Sequence, residues 1–495
     1  MGAAMDEVQQ AQSVLGYSEL RRLEHTHAHC TPSLMERAGC AAAQYALELL
    51  ASHAGCVLVL AGPGNNGGDA YVLARELLQR GVNVVLASLA EPASLPSDAA
   101  QAHASWLAAG GQVFPDFIGR QWSLVVDGLF GIGLKRPIEG MYAEWIARVN
   151  AMTCPVLALD VPSGLDAENG RVVGPVVQAS HTASFIALKP GLLTLDGPDH
   201  CGELRLFDLG LKTEGLGGQT IAPACFAKSL QPRPHNVHKG SFGSAGIIGG
   251  AAGMTGAGIL AARAALRLGA GKVLLGLLEA PGFTFDPQYP ELMLRQPGDL
   301  HLLATALAIG PGLGVSDAAS QHLRRAMAFS GPVVLDADAL NLLAENPALQ
   351  TLLTQRQPGS VMTPHPAEAA RLARTSVAEV QADRVDCAVE LAARFKACVV
   401  LKGCGSIVAT PEGRWYINTS GNSGMATAGM GDVLTGLILA LLAQRWTPAQ
   451  ATLAAVHLHG VAADRLVATG QGPVGLCAGE TIDAARAVFN TWLKS

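Results

Sequence analysis

Two glycine-rich segments, each ending in an aspartate, contain the residues of this sequence that are best suited to chemistry. They are GPGNNGGD at 62–69 and ATAGMGD at 426–432. Glycine allows positive φ angles and a close approach of the backbone to a ligand. Each aspartate opens a helical pattern, and the start of a helix offers unpaired N–H groups to an anion. Because the two segments differ in design, they predict two separate sites for phosphorylated, nucleotide-like ligands.

Two further loops accompany the first segment and add carboxylates, a hydroxyl group and cations. They are VDGLFGIGLKRP at 126–137 and LDVPSGLD at 159–166. Their candidate side chains are Asp127, Lys135, Arg136, Asp160 and Ser163. Each loop follows an apolar strand pattern, and the carboxyl ends of parallel strands converge on one edge of a sheet. A structural interpretation stays open, since glycine loops are often simple turns and strand-end aspartates often fix turns.

Four loops accompany the second segment, each at the end of a predicted strand. They are GPGLG at 310–314, DADAL at 336–340, TPHPAE at 363–368 and KGCGS at 402–406. The N–H groups that precede Asp432 can form an anion hole for a phosphoryl group, and the Asp432 carboxylate can accept a hydroxyl proton. The structural alternatives are that Asp432 is an ordinary helix N-cap and that His365 is a hydrogen-bonding loop residue.

Strands and helices must alternate along the chain to position these loops. After a helical pattern in residues 1–53, apolar strands alternate with helices up to about residue 210, and a second alternation begins at about residue 243. The residues between the two are rich in turn formers. This pattern predicts an α/β fold of two doubly wound domains, which we place at residues 1–225 and 226–495.

Composition narrows the class of protein. Of the 495 residues, 49% are hydrophobic and only 15% are charged, which suits parallel sheets covered by helices and favours a homo-oligomer. The net charge of −6 argues against nucleic acid and anionic membranes as partners, and no segment has the ~18 apolar residues of a membrane span. The sequence has no signal-peptide pattern and no C-x-x-C pair. We therefore expect a cytoplasmic protein with reduced thiols.

The N-terminal motifs resemble, in order, those of the NAD(P)H-hydrate epimerase domain, which is Rossmann-like. GPGNNGGD, DGLFGIGLKRP, LDVPSGLD and the later KPG carry this resemblance, which spans roughly residues 15–215. It implies a potassium ion held by Asn66, Asp127 and Ser163, and we interpret Asp160 as the proton-transfer residue. The substrate-binding residues that it implies are Asn65, Asn66, Gly67, Gly68, Asp69, Gly131, Ile132, Gly133, Leu134, Lys135, Arg136, Pro137 and Asp160.

The C-terminal motifs resemble those of the ADP-dependent NAD(P)H-hydrate dehydratases, which have a ribokinase-like fold. HKGSFGSAGIIGG at 238–250, TGAGILAARAALRLGAG at 255–271 and TPHPAE carry this resemblance. It implies Mg²⁺, ADP as co-substrate, and Asp432 as the base. The hydrate-binding residues that it implies are Ala257, Gly312, His365 and Asp432. The adenine nucleotide residues that it implies are Lys402, Gly403, Cys404, Gly405, Ser406 and Gly431.

Together the two resemblances imply a bifunctional enzyme for nicotinamide nucleotide repair. One half would interconvert the R and S epimers of hydrated NADH or NADPH. The other would phosphorylate the S epimer from ADP and eliminate phosphate, giving NAD(P)H and AMP. Two alternatives stay open. The C-terminal half could be a kinase for a vitamin precursor or a sugar, and the N-terminal half could be a non-catalytic binding module.

Overall fold

The computed structural model of the chain describes residues 10–50, 55–117, 121–134, 136–279, 283–357 and 359–493. Its contacts divide the chain into two units, Gln12–Gly218 and Gln219–Ser495. This division falls a few residues before the boundary that the sequence predicts at 225–226, because a short strand that begins at Gly218 pairs within the second unit. Both units have the predicted α/β architecture, with helices on parallel sheets.

The N-terminal unit is built on a seven-stranded parallel sheet with the order β4-β3-β2-β5-β6-β7-β8. The strands of this unit are β1 (Ser13–Val14), β2 (Cys56–Ala61), β3 (Asn83–Ser88), β4 (Val113–Phe114), β5 (Leu124–Gly128), β6 (Val156–Leu159), β7 (His181–Phe185) and β8 (Glu203–Phe207). Its helices are α1 (Tyr17–Thr26), α2 (Leu34–Leu50), α3 (Asn65–Gln79), α4 (Ser97–Ala108), α5 (Gly140–Asn150), α6 (Pro190–Leu193) and α7 (Gly197–Cys201). The direction of winding reverses between β2 and β5, and such a switch point is where open α/β sheets bind ligands.

Apolar side chains cover both faces of this sheet. Successive residues of a strand point to opposite faces, so Val57 and Val59 of β2 pack in the cluster that includes α2 and α3. Leu58 and Leu60 pack instead in the cluster around Trp145 of α5. Burial on both faces explains why these strands are continuously apolar rather than alternating.

The C-terminal unit contains a longer sheet, in which β9-β18-β17-β16-β15-β14-β13-β10-β11-β12 are neighbours in that order. Its strands are β9 (Gly218–Thr220), β10 (Ser244–Gly249), β11 (Lys272–Leu277), β12 (Met293–Leu294), β13 (Ala306–Ile309), β14 (Val333–Leu335), β15 (Ser360–Met362), β16 (Cys398–Leu401), β17 (Ile407–Ala409) and β18 (Trp415–Ile417). Strand β17 runs antiparallel to β16 and β18, and the other pairs are parallel.

Eleven α-helices accompany this sheet in the described part of the unit. They are α8 (Thr255–Arg267), α9 (Leu300–Leu303), α10 (Asp317–Met327), α11 (Asp338–Glu345), α12 (Pro347–Thr354), α13 (Pro366–Ala373), α14 (Val377–Ala382), α15 (Arg384–Phe395), α16 (Met430–Ala443), α17 (Pro448–Ala468) and α18 (Ala478–Trp492). Helix α16 is buried along nearly its whole length. Gly436 lets it approach α8 closely, since a Cβ there would overlap the carbonyl oxygen of Ala261.

Two predicted elements differ from the structure. The sequence predicts that the helix after the first glycine segment spans 70–81, but α3 begins at Asn65 because two of the motif glycines lie inside the helix. The sequence also predicts two strands in 398–418, whereas the structure has three, since the loop 402–406 separates β16 from β17. Among the helices of the described residues, none is long and apolar enough to cross a membrane. None of the ten cysteines, all of which lie in the described residues, forms a disulfide.

Candidate functional site

A cavity of about 850 Å³ opens in the N-terminal unit, where β2 and β5 end and the strand order reverses. The predicted substrate residues that line it are Asn65, Asn66, Asp69, Gly131, Ile132, Gly133, Leu134, Arg136 and Asp160. Pro137 is absent from the described lining, and Lys135 lies outside the described residues. The three motif loops therefore meet around one cavity.

Gly67 and Gly68 are not among the residues that line the cavity. Both are buried in the first turn of α3. A Cβ on Gly67 would overlap the carbonyl oxygen of Gly62, and a Cβ on Gly68 would overlap the side chain of Met35. These glycines thus permit close packing of the helix start, while Asn65 and Asp69 on the same turn reach the cavity.

Asp160 and Lys189 form an ion pair at the cavity wall. Asp160 has a positive φ of 64°, an uncommon conformation for a residue other than glycine that tends to occur at functional sites. Lys189 is 1% exposed, and its ammonium group also donates to Ser184 Oγ at 3.1 Å and to the carbonyl oxygen of Phe185 at 2.9 Å. The predicted residue set omitted Lys189, although it belongs to the KPG motif.

Asp69 also reaches the cavity, from the first turn of α3. Burial raises the pKa of its carboxyl group well above the usual range. The negative charges of Asp160 and Glu24 raise it further, and the positive charge of Lys189 opposes them only in part. The cavity therefore contains one carboxylate paired with a lysine and a second carboxyl group that favours its protonated form.

Asp127 and Ser163 lie buried beneath the cavity in direct contact. Asp127 accepts hydrogen bonds from the Ser163 hydroxyl at 2.7 Å and from the Ser163 N–H at 2.8 Å. Burial raises the pKa of Asp127, and the hydrogen bonds from Ser163 and Leu129 oppose that rise. Asn66 is also buried, and within the described part of the chain neither its amide oxygen nor its amide nitrogen has a hydrogen-bond partner.

The C-terminal site is organised by an ion pair between Asp336 and Lys402. Lys402 Nζ donates to Asp336 Oδ1 at 3.0 Å. The hydroxyl of Thr363 donates to the same oxygen at 2.8 Å, and that of Thr435 donates to Oδ2 at 2.8 Å. Burial alone would lower the pKa of Lys402, but the charges of Asp336 and Glu368 outweigh it, so that the pKa is raised. Lys402 therefore carries a positive charge at neutral pH.

Asp432 follows Gly429 and Gly431 and lies in the first turn of α16. Gly429 precedes the helix with a φ of 91°, and Gly431 lies beside Lys402, whose Nζ is 3.3 Å from the position that a Cβ would take. Burial raises the pKa of Asp432 to about 6, and the negative charges of Asp336 and Asp338 contribute, whereas Lys402 opposes the rise.

Ala257, in the first turn of α8, lies next to Gly312 in the loop after β13. A Cβ on Gly312, which has a φ of 58°, would lie 3.3 Å from Cβ of Ala257. One turn further along α8, Leu260 lies against Gly429. These contacts bring Ala257 and Gly312 to the same region as the N-terminus of α16.

His365 occupies the N-cap of α13. Its Nδ1 accepts hydrogen bonds from the N–H groups of Ala367 at 3.1 Å and Glu368 at 3.4 Å. Burial, together with the charges of Lys402 and Arg371, lowers the pKa of its imidazole, which therefore stays neutral at pH 7. His365 therefore has the hydrogen-bonding role that the structural alternative assigns to it. Nearly half of its side chain is nevertheless exposed and available to a ligand.

The loop 402–406 has the left-handed backbone that its glycines allow. Gly403 has a φ of 144° and Gly405 a φ of 63°. The Ser406 hydroxyl closes the loop, because it accepts from the N–H of Gly403 at 3.2 Å. Sequence reasoning noted the two carboxylates of DADAL but left Asp336 and Asp338 out of the predicted site. The signal that could have identified them was the pair of acidic residues at a strand end.

Comparison with known proteins agrees with this division of the chain. A family model described as "YjeF-related protein N-terminus" matches residues 31–191, and one described as "NAD(P)H-hydrate dehydratase" matches residues 245–478. A bifunctional NAD(P)H-hydrate repair enzyme of Escherichia coli is 41% identical over 444 residues, covering 88% of this chain and 85% of the relative. Another, of Coxiella burnetii, is 39% identical over 490 residues, covering 95% and 98%.

Among solved structures, the ADP/ATP-dependent NAD(P)H-hydrate dehydratase from Bacillus subtilis is 32% identical, with a TM-score of 0.47. The match covers 53% of this chain and 94% of that chain. The resemblance inferred from the motifs is confirmed by the two family models and by relatives that match over most of their length. This chain belongs to the family of bifunctional NAD(P)H-hydrate repair enzymes.

Proposed function

We propose that this chain repairs hydrated NADH and NADPH in two separate sites. The N-terminal unit would interconvert the R and S epimers, and the C-terminal unit would dehydrate the S epimer with ADP. The observation that carries the proposal is the buried Asp336–Lys402 pair beside Gly431 and Asp432, which combines an anion hole with a base. The names of the full-length relatives support the same pair of activities.

In the C-terminal site, Asp432 would act as the base for phosphoryl transfer. A carboxylate with a pKa near 6 is ionised at neutral pH and still basic enough to accept a hydroxyl proton. The hydroxyl oxygen of the hydrate would bond to the β-phosphorus of ADP while the bond to AMP breaks. The phosphate ester would then leave with its C–O electron pair as the ring loses a proton, which gives NAD(P)H and phosphate.

Lys402 and the N–H groups near Gly431 would balance the negative charge that develops during this transfer. The carboxylates of Asp338 and Asp432 suit Mg²⁺, which prefers oxygen ligands. Their mutual repulsion, which contributes to the raised pKa of Asp432, would be relieved by a cation. Bound with ADP, Mg²⁺ would neutralise charge on the phosphates.

In the N-terminal site, Asp160 would exchange a proton with the added hydroxyl of the hydrate. Its ion pair with Lys189 fixes its position. The neighbouring Asp69, whose pKa is strongly raised, would be protonated and able to donate to the same ligand. As the ring nitrogen forms an iminium ion, the C–O bond would break and the hydroxyl would leave as water with a proton from Asp69. Water would then add to the opposite face and return a proton to Asp69, which changes the epimer.

Asn66, Asp127 and Ser163 fit a potassium ion beneath this site. The amide oxygen of Asn66 is buried without a described partner, and the charge of Asp127 is buried with only hydrogen bonds to offset it. Oxygen donors of these three kinds suit a hard cation. A potassium ion here would neutralise Asp127 and help to fix the loops that surround the substrate phosphates.

The test follows recovery of reduced nucleotide by its near-ultraviolet absorbance, from mixed R and S hydrate with ADP, Mg²⁺ and K⁺. The wild-type protein should recover both epimers faster than they interconvert spontaneously. Asp160→Asn should recover only the S fraction, and Asp432→Asn should recover neither while R and S still interconvert. Accumulation of a phosphorylated product instead of free phosphate would contradict the dehydratase and favour a small-molecule kinase.

A further inference from the structure

Arg384 is a buried arginine that contacts the loop 402–406 from behind. It is 3% exposed and lies at the start of α15, eighteen positions before Lys402 in the sequence. Its guanidinium Nη2 lies within hydrogen-bonding distance of the carbonyl oxygens of Leu401 at 3.3 Å, Lys402 at 3.4 Å and Gly405 at 3.4 Å. Neither the motif analysis nor the resemblance assigns a role to this residue.

The contacts determine which way the loop peptides face. In a trans peptide unit the C=O and N–H groups point in opposite directions. Because the carbonyls of Lys402 and Gly405 point to Arg384, the N–H groups of Gly403 and Ser406 point away from it. The guanidinium therefore holds the loop with the carbonyl oxygens of Lys402 and Gly405 on the Arg384 side. This orientation suits a loop whose opposite side binds an anion.

The packing around Arg384 allows little room for change. A Cβ on Gly403 would lie 3.0 Å from both terminal guanidinium nitrogens, so the loop and the side chain are in close contact. Gln381 accepts a hydrogen bond from Nη1 at 2.7 Å, which fixes the guanidinium from the other side. Burial lowers the pKa of Arg384 to about 10, so the group is still charged at neutral pH.

We propose that Arg384 is a positioning residue for ADP, which prearranges the loop 402–406 without touching the nucleotide. Its burial keeps it from direct contact with a ligand, so its effect must pass through the loop backbone. A prearranged loop lowers the conformational free energy that nucleotide binding requires. This inference rests on the proposed ADP-dependent dehydratase activity.

Arg356 provides a matched control within the same unit. It is another arginine whose guanidinium binds backbone carbonyls, those of Ala326 at 3.0 Å, Phe329 at 2.9 Å and Gly331 at 2.7 Å. These carbonyls precede β14 and thus lie at the amino edge of the parallel sheet, opposite to the carboxyl edge that carries the site. Loss of either arginine removes a similar set of hydrogen bonds, but only one set belongs to the nucleotide loop.

The experiment compares Arg384→Met, Arg384→Lys and Arg356→Met as full-length proteins. We expect Arg384→Met to raise the KM for ADP about tenfold or more, with a smaller change in kcat, since lost prearrangement weakens binding. Arg384→Lys should recover part of the loss, because lysine can still donate to a carbonyl. Arg356→Met should lower thermal stability without raising the KM for ADP. In all three variants, R-to-S interconversion by the N-terminal unit should stay at the wild-type rate.

Two results would overturn the inference. One is an unchanged KM for ADP in Arg384→Met, and the other is an equal rise in Arg356→Met. A wild-type protein with no ADP-dependent turnover would instead contradict the proposed function itself. If Arg384→Met fails to fold, Gly403→Ala can replace it, because the added methyl group displaces the same guanidinium from the loop side. Gly413→Ala is its control, since Gly413 also has a positive φ but no atom of the described residues lies within 4 Å of its added Cβ. The inference then requires that only Gly403→Ala raises the KM for ADP.

Discussion

Lys402 and Asp336 form an ion pair whose nitrogen and oxygen are 3.0 Å apart, next to the backbone of Gly431. Asp336 is almost fully buried, and two threonine hydroxyls complete its hydrogen bonds. A buried pair of this kind contributes little net stability, but its loss is strongly destabilising because one charge then remains uncompensated. The pair is better explained as a fixed source of charge for the adjacent anion hole than as a stabilising device.

The first prediction concerns the pH dependence of dehydration. Since the pKa of Asp432 is about 6, kcat/KM should fall about tenfold per pH unit below that value, as the base becomes protonated. The same shift affects the free energy of unfolding. Because the pKa of Asp432 is raised in the folded protein, protonation of Asp432 stabilises the folded state, and this stabilisation is lost as pH rises through about 6. Asp432→Asn should therefore gain more thermal stability relative to wild type above pH 6 than below it. An equal difference at both extremes would contradict the assigned pKa.

The second prediction concerns Lys402→Met. Loss of the ammonium group removes the charge that lowers the pKa of Asp432, so the inflection in the dehydration rate should move to higher pH. It also leaves Asp336 without its partner, and we expect a loss of about 3 kcal/mol in the free energy of unfolding. Chemical denaturation and a pH–rate profile measure the two effects. Lys228→Met, at an exposed position, should change neither.

A third prediction separates the two roles of His365. Asparagine is a good N-cap, so His365→Asn should keep the helix start and most of the thermal stability. If the imidazole also contacts the hydrate, this variant should still raise the KM for the S epimer. His365→Ala should lose about 1 kcal/mol in addition. Wild-type kinetics in His365→Asn would assign this residue to capping alone.

The fourth prediction tests the packing role of the motif glycines. Gly67→Ala places a methyl group on the carbonyl oxygen of Gly62, so it should destabilise the N-terminal unit and reduce R-to-S interconversion. Gly64→Ala provides the control, since no described atom lies within 4 Å of its added Cβ. We expect Gly64→Ala to retain the wild-type thermal unfolding curve. Dehydration of the S epimer measures whether the other unit is intact in both variants.

The fifth prediction concerns potassium. Asp127→Asn removes the charge that would hold the cation, so any acceleration of R-to-S interconversion by K⁺ over Na⁺ should disappear. Dehydration of pure S epimer by the same preparation should not change. Interconversion by the wild-type protein that is equal in K⁺ and Na⁺ would rule out a specific potassium requirement at this site.

The sequence predicts the loops of both sites because glycines and acidic residues at strand ends are local signals. Asn66, Asp160 and Asp432 were predicted in this way. Lys189 and Arg384 were not assigned, since each contacts a backbone or side chain that is distant in the sequence and reached only through tertiary packing. The buried glycines of α3 show that residue type alone does not separate ligand approach from close packing, since glycine serves both.

Helix α16 joins Asp432, the proposed base, to the hydrophobic core of the C-terminal unit. Its first turn holds Asp432, and the residues from Val433 to Ala443 are all buried against neighbouring elements. We therefore expect the first turn of this helix to unfold together with its apolar body. Dehydratase activity should consequently behave as a reporter of cooperative unfolding in its own unit. In a denaturant titration, loss of turnover should coincide with loss of helical circular dichroism from that unit, with no inactive but folded state between them.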